Sequence, residues 1–169
     1  MKSCKIMRYL IIFLFFLFAP LQGYANKHGN CLLIPQHRYV YIYDDAGVIK
    51  DSVRNDTINE DYQFISILCV KGKYAKVSTE SLQSNVKHLG WIKTSNLGIY
   101  VCKSYSDTIN LYESPKNNAK VKSYIIDPIW GDFYFVLDCY DKWLYVKKGE
   151  CEGWLKEENQ CCNPYSACN

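Results

Sequence analysis

Two stretches of this chain read alike. Cys69-Val-Lys-Gly-Lys-Tyr74-Ala-Lys-Val77 leads, across a loop, to Gly90-Trp91-Ile92-Lys93-Thr94-Ser95-Asn96. Cys139-Tyr-Asp-Lys-Trp143-Leu-Tyr-Val146 leads, across a shorter loop, to Gly153-Trp154-Leu155-Lys156-Glu157-Glu158-Asn159. Upstream of each lies a third matched piece, Val40-Tyr41-Ile42-Tyr43-Asp44 and Ile109-Asn110-Leu111-Tyr112-Glu113. Three matched parts in the same order mean one structural unit used twice. We place the copies at residues 39–101 and 102–160, after an N-terminal segment at 26–38 and before a cysteine-rich tail at 161–169.

The residue types inside each copy favour strands. Tyr39–Tyr43 is β-branched and aromatic throughout, Tyr62–Cys69 alternates in part, and Trp143–Lys147 is a further candidate. Turn formers punctuate them at Asp44-Asp45-Ala46-Gly47, Lys71-Gly72-Lys73, Ser114-Pro115-Lys116-Asn117-Asn118 and Lys148-Gly149-Glu150. Many short strands with turns between them predict an all-β barrel or sandwich. No long stretch carries a helical apolar period. Ser78–His88 is polar and reads as a loop with one helical turn.

A strand ending in Leu-Tyr, a variable arm, a hairpin of the form Lys-Trp-Leu-Tyr-Val and a closing Gly-Trp-Leu resembles the bacterial SH3-like (SH3b) domain. Residues 107–159 carry that resemblance well and residues 39–96 loosely. It implies two small five-stranded SH3-like barrels in tandem, with Trp91, Trp143 and Trp154 helping to fill their cores. The first copy departs from the pattern: Tyr74 stands where the hairpin tryptophan belongs, and its loop is long. The resemblance also implies a ligand groove around Tyr112 and the arm Ile129-Trp130-Gly131-Asp132. The aromatic residues Tyr41, Tyr43, Tyr112, Trp130, Phe133 and Tyr134 are the candidates to line it, since aromatics offer rigid area with a polar tip. Small barrels, however, place most of their aromatics in the cores and in the seam between barrels, which is the expected place of any one of them. Trp130, between Pro128 and Gly131, is the one expected to be exposed.

The N-terminus carries an address. Lys2, Lys5 and Arg8 precede an apolar run from Tyr9 to Ala19; Pro20 breaks it, and Gly23-Tyr24-Ala25 places small residues around a cleavage site after Ala25. This is the make-up of a secretory signal peptide at 1–25, and the run is too short to span a bilayer. The mature chain is therefore expected to be exported, periplasmic or secreted, with no transmembrane span. Of 20 Lys+Arg and 17 Asp+Glu, three basic residues and no acids leave with the signal, so the mature chain is formally neutral. No basic footprint for nucleic acid is present.

Nine cysteines less Cys4 leave Cys31, Cys69, Cys102, Cys139, Cys151, Cys161, Cys162 and Cys168. An even number in an exported chain predicts disulfides, whose connectivity sequence alone does not settle. Paired C-x-x-C zinc ligands are missing. Cys139 and Cys151 flank one predicted hairpin and are expected to pair. A Cys161–Cys168 bridge would close a loop over Asn163-Pro164, leaving Cys162 to reach elsewhere. A redox role for the adjacent cysteines is the alternative.

Little points to catalysis. The three histidines, His28, His37 and His88, lie outside any catalytic motif, and Asp44-Asp45 and Glu157-Glu158 read as solvated turn charges. SH3-like domains often accompany a cell-wall cysteine peptidase, which would need a further domain. The expectation is a non-enzymatic binding module without cofactor or metal. Its partner is cell-wall peptide or an envelope protein. The alternatives are an inhibitor or immunity-like protein, and an accessory part of a cell-wall hydrolase system.

Overall fold

A computed structural model describes residues 29–33, 39–56, 58, 59, 61–81, 83–101, 107–128 and 132–162. Residues 1–25, over which a signal peptide is expected, and His28, His37, Cys102, Trp130 and Cys168 lie outside the described residues. Strands dominate, as the turn spacing predicts: β1 (Gly29–Leu33), β2 (Val40–Tyr43), β3 (Ile49–Val53), β4 (Gln63–Lys71), β5 (Tyr74–Ser81), β6 (Lys87–Lys93) and β7 (Leu97–Val101). They continue with β8 (Thr108–Tyr112), β9 (Val121–Ile126), β10 (Phe133–Tyr140), β11 (Trp143–Lys148), β12 (Cys151–Leu155) and β13 (Gln160–Cys161). Single 3₁₀ turns at Thr94–Asn96 and Glu157–Asn159 follow β6 and β12. Among the described residues no helix is long and apolar enough to cross a membrane.

All the strands belong to one antiparallel sheet, in the order β3-β2-β6-β5-β4-β1-β7-β10-β11-β12-β8-β9, with β13 added on β7. The order contains its own repeat. β3-β2-β6-β5-β4 and β9-β8-β12-β11-β10 are the same five-strand arrangement, each read outside in. The irregularities repeat too. β4 and β10 shift register between Ile67 and Cys69 and between Val136 and Asp138; β2 and β8 shift between Ile42 and Tyr43 and between Leu111 and Tyr112. A bulge bends its strand and raises the local twist. Equivalent bends in both copies show that the repeat is structural.

The register corrects one detail of the sequence match. Val70 lies opposite Ala75, and Cys139 opposite Leu144. Val70 is therefore the counterpart of Cys139, and Cys69 that of Asp138. Two further expectations change. The segment before residue 39 contributes β1, which sits mid-sheet between β4 and β7. Ser78–His88 is not a loop: β5 runs to Ser81 and β6 starts at Lys87. Thr79 and Ser81 point inward at 0% and 2% exposure. Ser81 Oγ lies 2.7 Å from Asp61 Oδ1, so a polar side chain is buried with a partner. Alternate residues of β5 are buried, but the buried ones are partly hydroxylic, and this hides the strand from a hydropathy pattern.

The interior is one apolar cluster that runs through both repeats: Ile42, Ile65, Ile67 and Ile92 on one side, Leu97 and Ile99 in the middle, Leu111, Leu144 and Leu155 on the other. Each such side chain contributes about 1.5–3 kcal/mol by leaving water. The predicted Cys139–Cys151 bridge is not there. Cys139 faces Leu144 while Cys151 faces Lys148, four residues along β11, or about 13 Å. A disulfide needs Cα atoms within about 7 Å. Cys31, Cys69, Cys151 and Cys162 carry free thiols. Cys161 is disulfide-bonded.

Candidate functional site

The β2–β3 turn is rigid for a local reason. Asp44 Oδ1 accepts hydrogen bonds from the backbone N–H of Ala46 (2.9 Å) and Val48 (2.8 Å). Gly47 supplies the left-handed backbone that the turn requires, at φ +81°. The turn holds Asp45 out over β6. There Asp45 Oδ1 accepts the indole N–H of Trp91 at 2.7 Å and the ammonium of Lys76 at 2.9 Å. The Trp91 hydrogen bond, then Lys76, keeps the Asp45 carboxyl below the usual carboxylate range. Lys76 also stands 5.7 Å over the Trp91 ring.

Trp91 reaches this position because Gly90 lets β6 close on β2. A Cβ at Gly90 would lie 2.3 Å from Ile42 Cγ2 and 2.7 Å from the Tyr43 carbonyl. Tyr43 consequently pairs with Trp91, and its ring meets Tyr74 edge-on at 5.9 Å. Tyr43, Tyr74 and Trp91 wall an open cleft of about 240 Å³, with Asp44 and Asp45 on the turn and Lys71 on the hairpin completing it. Aromatic faces with fixed carboxylates and an ammonium suit the capture of an extended group carrying both apolar and charged parts.

The second repeat builds the same constellation and covers it. Tyr112 pairs with Trp154 as Tyr43 does with Trp91, and Tyr112 meets Trp143 edge-on at 5.6 Å. Lys156, however, lies 5.3 Å over Tyr112 and 6.0 Å over Trp143. Tyr145 stacks edge-on against Trp154 at 5.4 Å, taking the place of Lys76.

The residues singled out from sequence therefore separate. Tyr112 is half-buried beneath Lys156. Phe133 is a packing residue, edge-on to Tyr100 at 5.1 Å and pressed on Gly98, where a Cβ would lie 1.9 Å from its ring. Tyr134 is 4% exposed and faces the interior opposite Ile99, and burial first, with Asp132 next, pushes its hydroxyl up to about 12. Phe133 and Tyr134 both lie where β10 pairs with β7, on opposite faces of the strand: Tyr134 turns into the core and Phe133 packs on the other face against Tyr100 and Gly98. Tyr41 is exposed. Trp91, Trp143 and Trp154, expected in the cores, stand half-buried at their rims. Tyr74, Asp45 and Lys71 were not foreseen as site residues. The one signal for Tyr74 was its place at the hairpin-tryptophan position.

A second, more polar cleft lies near β3. His88 Nδ1 is 2.6 Å from Asp51 Oδ2 in a recess lined by Ser52, Arg54, Asp56, Ser84 and neighbours, and none of its lining residues is a cysteine. Asp51 is held below its usual range, first by the Ser52 N–H and then by His88. Among the described residues no group of three or more His, Cys, Asp or Glu is placed to hold a metal ion.

Comparison with known proteins is sparse. No family model matches the chain, and no curated protein matches it. Among solved structures there is a loose likeness to NlpC1 from Trichomonas vaginalis, at 13% identity and a TM-score of 0.31, covering 82% of this chain. The chain spans 46% of that neighbour's length.

Proposed function

We propose that the chain is an exported binding module. It acts by recognition and not by catalysis, and takes a short peptide of the cell wall, or an exposed segment of an envelope protein, into the cleft of Tyr43, Tyr74 and Trp91. The observation that carries this reading is the contrast between the repeats. The first repeat leaves Tyr43 and Tyr74 facing an open cleft beside a carboxylate fixed by two partners, with Lys76 standing over Trp91. The second lays Lys156 over the matching rings. We read each five-strand set as an SH3-like barrel, supported by the shared strand order and the shared bends. The basic, apolar and small-residue segments before Asn26 support export. Disulfides are the expected consequence of that compartment.

Co-sedimentation with purified peptidoglycan tests the reading. Wild-type protein is expected to pellet with the wall. Tyr74→Ala, which removes a 38%-exposed ring from the cleft, is expected to weaken binding on the order of tenfold. Trp130→Ala serves as the comparison for the groove inferred from family resemblance. If folded wild-type protein stays in the supernatant, the wall ligand is wrong. A Tyr74-sensitive pull-down from envelope extract would then identify a protein partner.

A further inference from the structure

Cys31 and Cys162 come from opposite ends of the fold and arrive at the same place. On one edge of β7, Leu32 and Leu33 of β1 lie opposite Gly98 and Leu97. Further along that strand, Gln160 and Cys161 of β13 lie opposite Val101 and Tyr100. Both segments run antiparallel to β7. Extending either register by one residue reaches Ile99, with Cys31 from β1 and Cys162 from β13. Only one segment fits beside Ile99. β1 stays on β4, with Cys31 opposite Ile65, and the chain end enters the fork where β1 leaves β7. The Cys162 thiol meets the Asn30 carbonyl at 3.5 Å, one residue from Cys31. Cys31 is fully buried, and Cys162 packs on the same apolar cluster. Both carry free thiols.

We propose that Cys31 and Cys162 form a disulfide in the oxidised protein, tying β1 to the segment that follows β13 in the middle of the sheet. Cys162, half-buried, is the sulfur that solvent reaches. Its thiol loses a proton to water and attacks a small disulfide such as oxidised glutathione. An S–S bond to Cys162 forms, and one small thiolate leaves and is protonated. The Cys31 thiolate then displaces the second small thiolate from Cys162. In sum, two protein thiols and one small disulfide give one protein disulfide and two small thiols. Burial pushes the Cys162 thiol up to about 11, and burial first, then the nearby Cys162 and Cys139, raises Cys31 well above its ordinary value. Few thiolates form at neutral pH, so closure is slow and, once made, resists exchange. The inference is independent of the aromatic cleft, and its failure leaves the binding reading intact.

The test is a thiol map of the full chain after folding with oxidised glutathione, beside a sample kept in dithiothreitol. Remaining thiols are alkylated, and tryptic peptides are read without reduction. The expected product joins peptide 28–38 to peptide 157–169, with fragmentation placing the link on Cys162 rather than Cys161. Cys162→Ser should melt on the order of 5–10 °C below wild type in the oxidised sample and level with it in dithiothreitol. Cys139→Ser should keep the link. Alkylation of both Cys31 and Cys162 in the oxidised folded chain overturns the proposal. So does a link from either residue to any other cysteine.

Discussion

Gly90 and Gly153 do the same work in the two repeats, and the distances say which is under more pressure. A Cβ at Gly153 would lie 2.9 Å from Leu111 Cβ and 3.1 Å from the Tyr112 carbonyl, both looser than the 2.3 and 2.7 Å contacts at Gly90. Gly90→Ala must push β6 off β2, at a cost of about 1–3 kcal/mol. Gly153→Ala meets looser contacts but adds backbone strain that Gly90→Ala does not, because Gly153 sits at φ +157°, a conformation that L side chains rarely adopt, so it should not be the milder change. The urea midpoints of the two variants, compared at equal denaturant slope, read the difference. A Gly90→Ala protein as stable as wild type would mean that β6 does not approach β2 this closely. The Gly-Trp pairs were legible in the sequence because no other residue type makes that approach. The fate of the tryptophans was not. An indole has an N–H to satisfy, and for Trp91 the partner is an aspartate on a surface turn 46 residues earlier, which draws the ring to the rim instead of the core. Asp45 in Asp-Asp-Ala-Gly looks the same in sequence whether it faces water or an indole.

At the scale of elements, the sheet ends are its weak points, and β9 shows how one is held. It is an edge strand with Val121, Tyr124 and Ile126 exposed. Lys122 fastens it, donating to Glu152 Oε1 and the Tyr145 hydroxyl at 2.7 Å each, while Lys147 reaches Glu152 from the side at 3.2 Å. Lys122 first, then Lys147, lowers the Glu152 carboxyl from its ordinary 4.5 to about 2. Because the folded value is depressed, the stabilisation is fully present above about pH 4.5 and is lost as pH falls through about 2. Glu152→Gln should flatten the unfolding midpoint over that window and lower it at pH 7. Raising salt should shrink the difference, since the pair is exposed to solvent. Equal acid sensitivity in wild type and Glu152→Gln would remove Glu152 from the account. Edge strands were the least legible elements in the sequence. Four of the five residues of β3 are exposed, so no alternation marks it; the interior strand β5 is hidden for another reason, since part of its inward face is Thr79 and Ser81.

For the whole molecule the repeat was legible, but its joining was not, because the joint is made by residues outside the matched motifs. β1 and β7 lie between the two five-strand sets, and β7 carries β1 and β13 on one edge and β10 on the other. Gly98 is the closest point of that seam, with the Phe133 ring in the space its missing side chain leaves. A cut at the sequence-derived boundary, after Val101, therefore removes the strand on which β10 lies. A chain of residues 102–169 would expose the backbone edge of Phe133, Tyr134 and Phe135, which β7 pairs in the intact protein. An unpaired edge of this apolar character associates with other chains. That fragment should be aggregated or unfolded, whereas the full chain should melt in one transition, with calorimetric and van't Hoff enthalpies equal. A dispersed amide spectrum and a cooperative melt from residues 102–169 alone would show instead that the second repeat carries its own stability. The shared strand would then be a junction between two domains, and not part of one core.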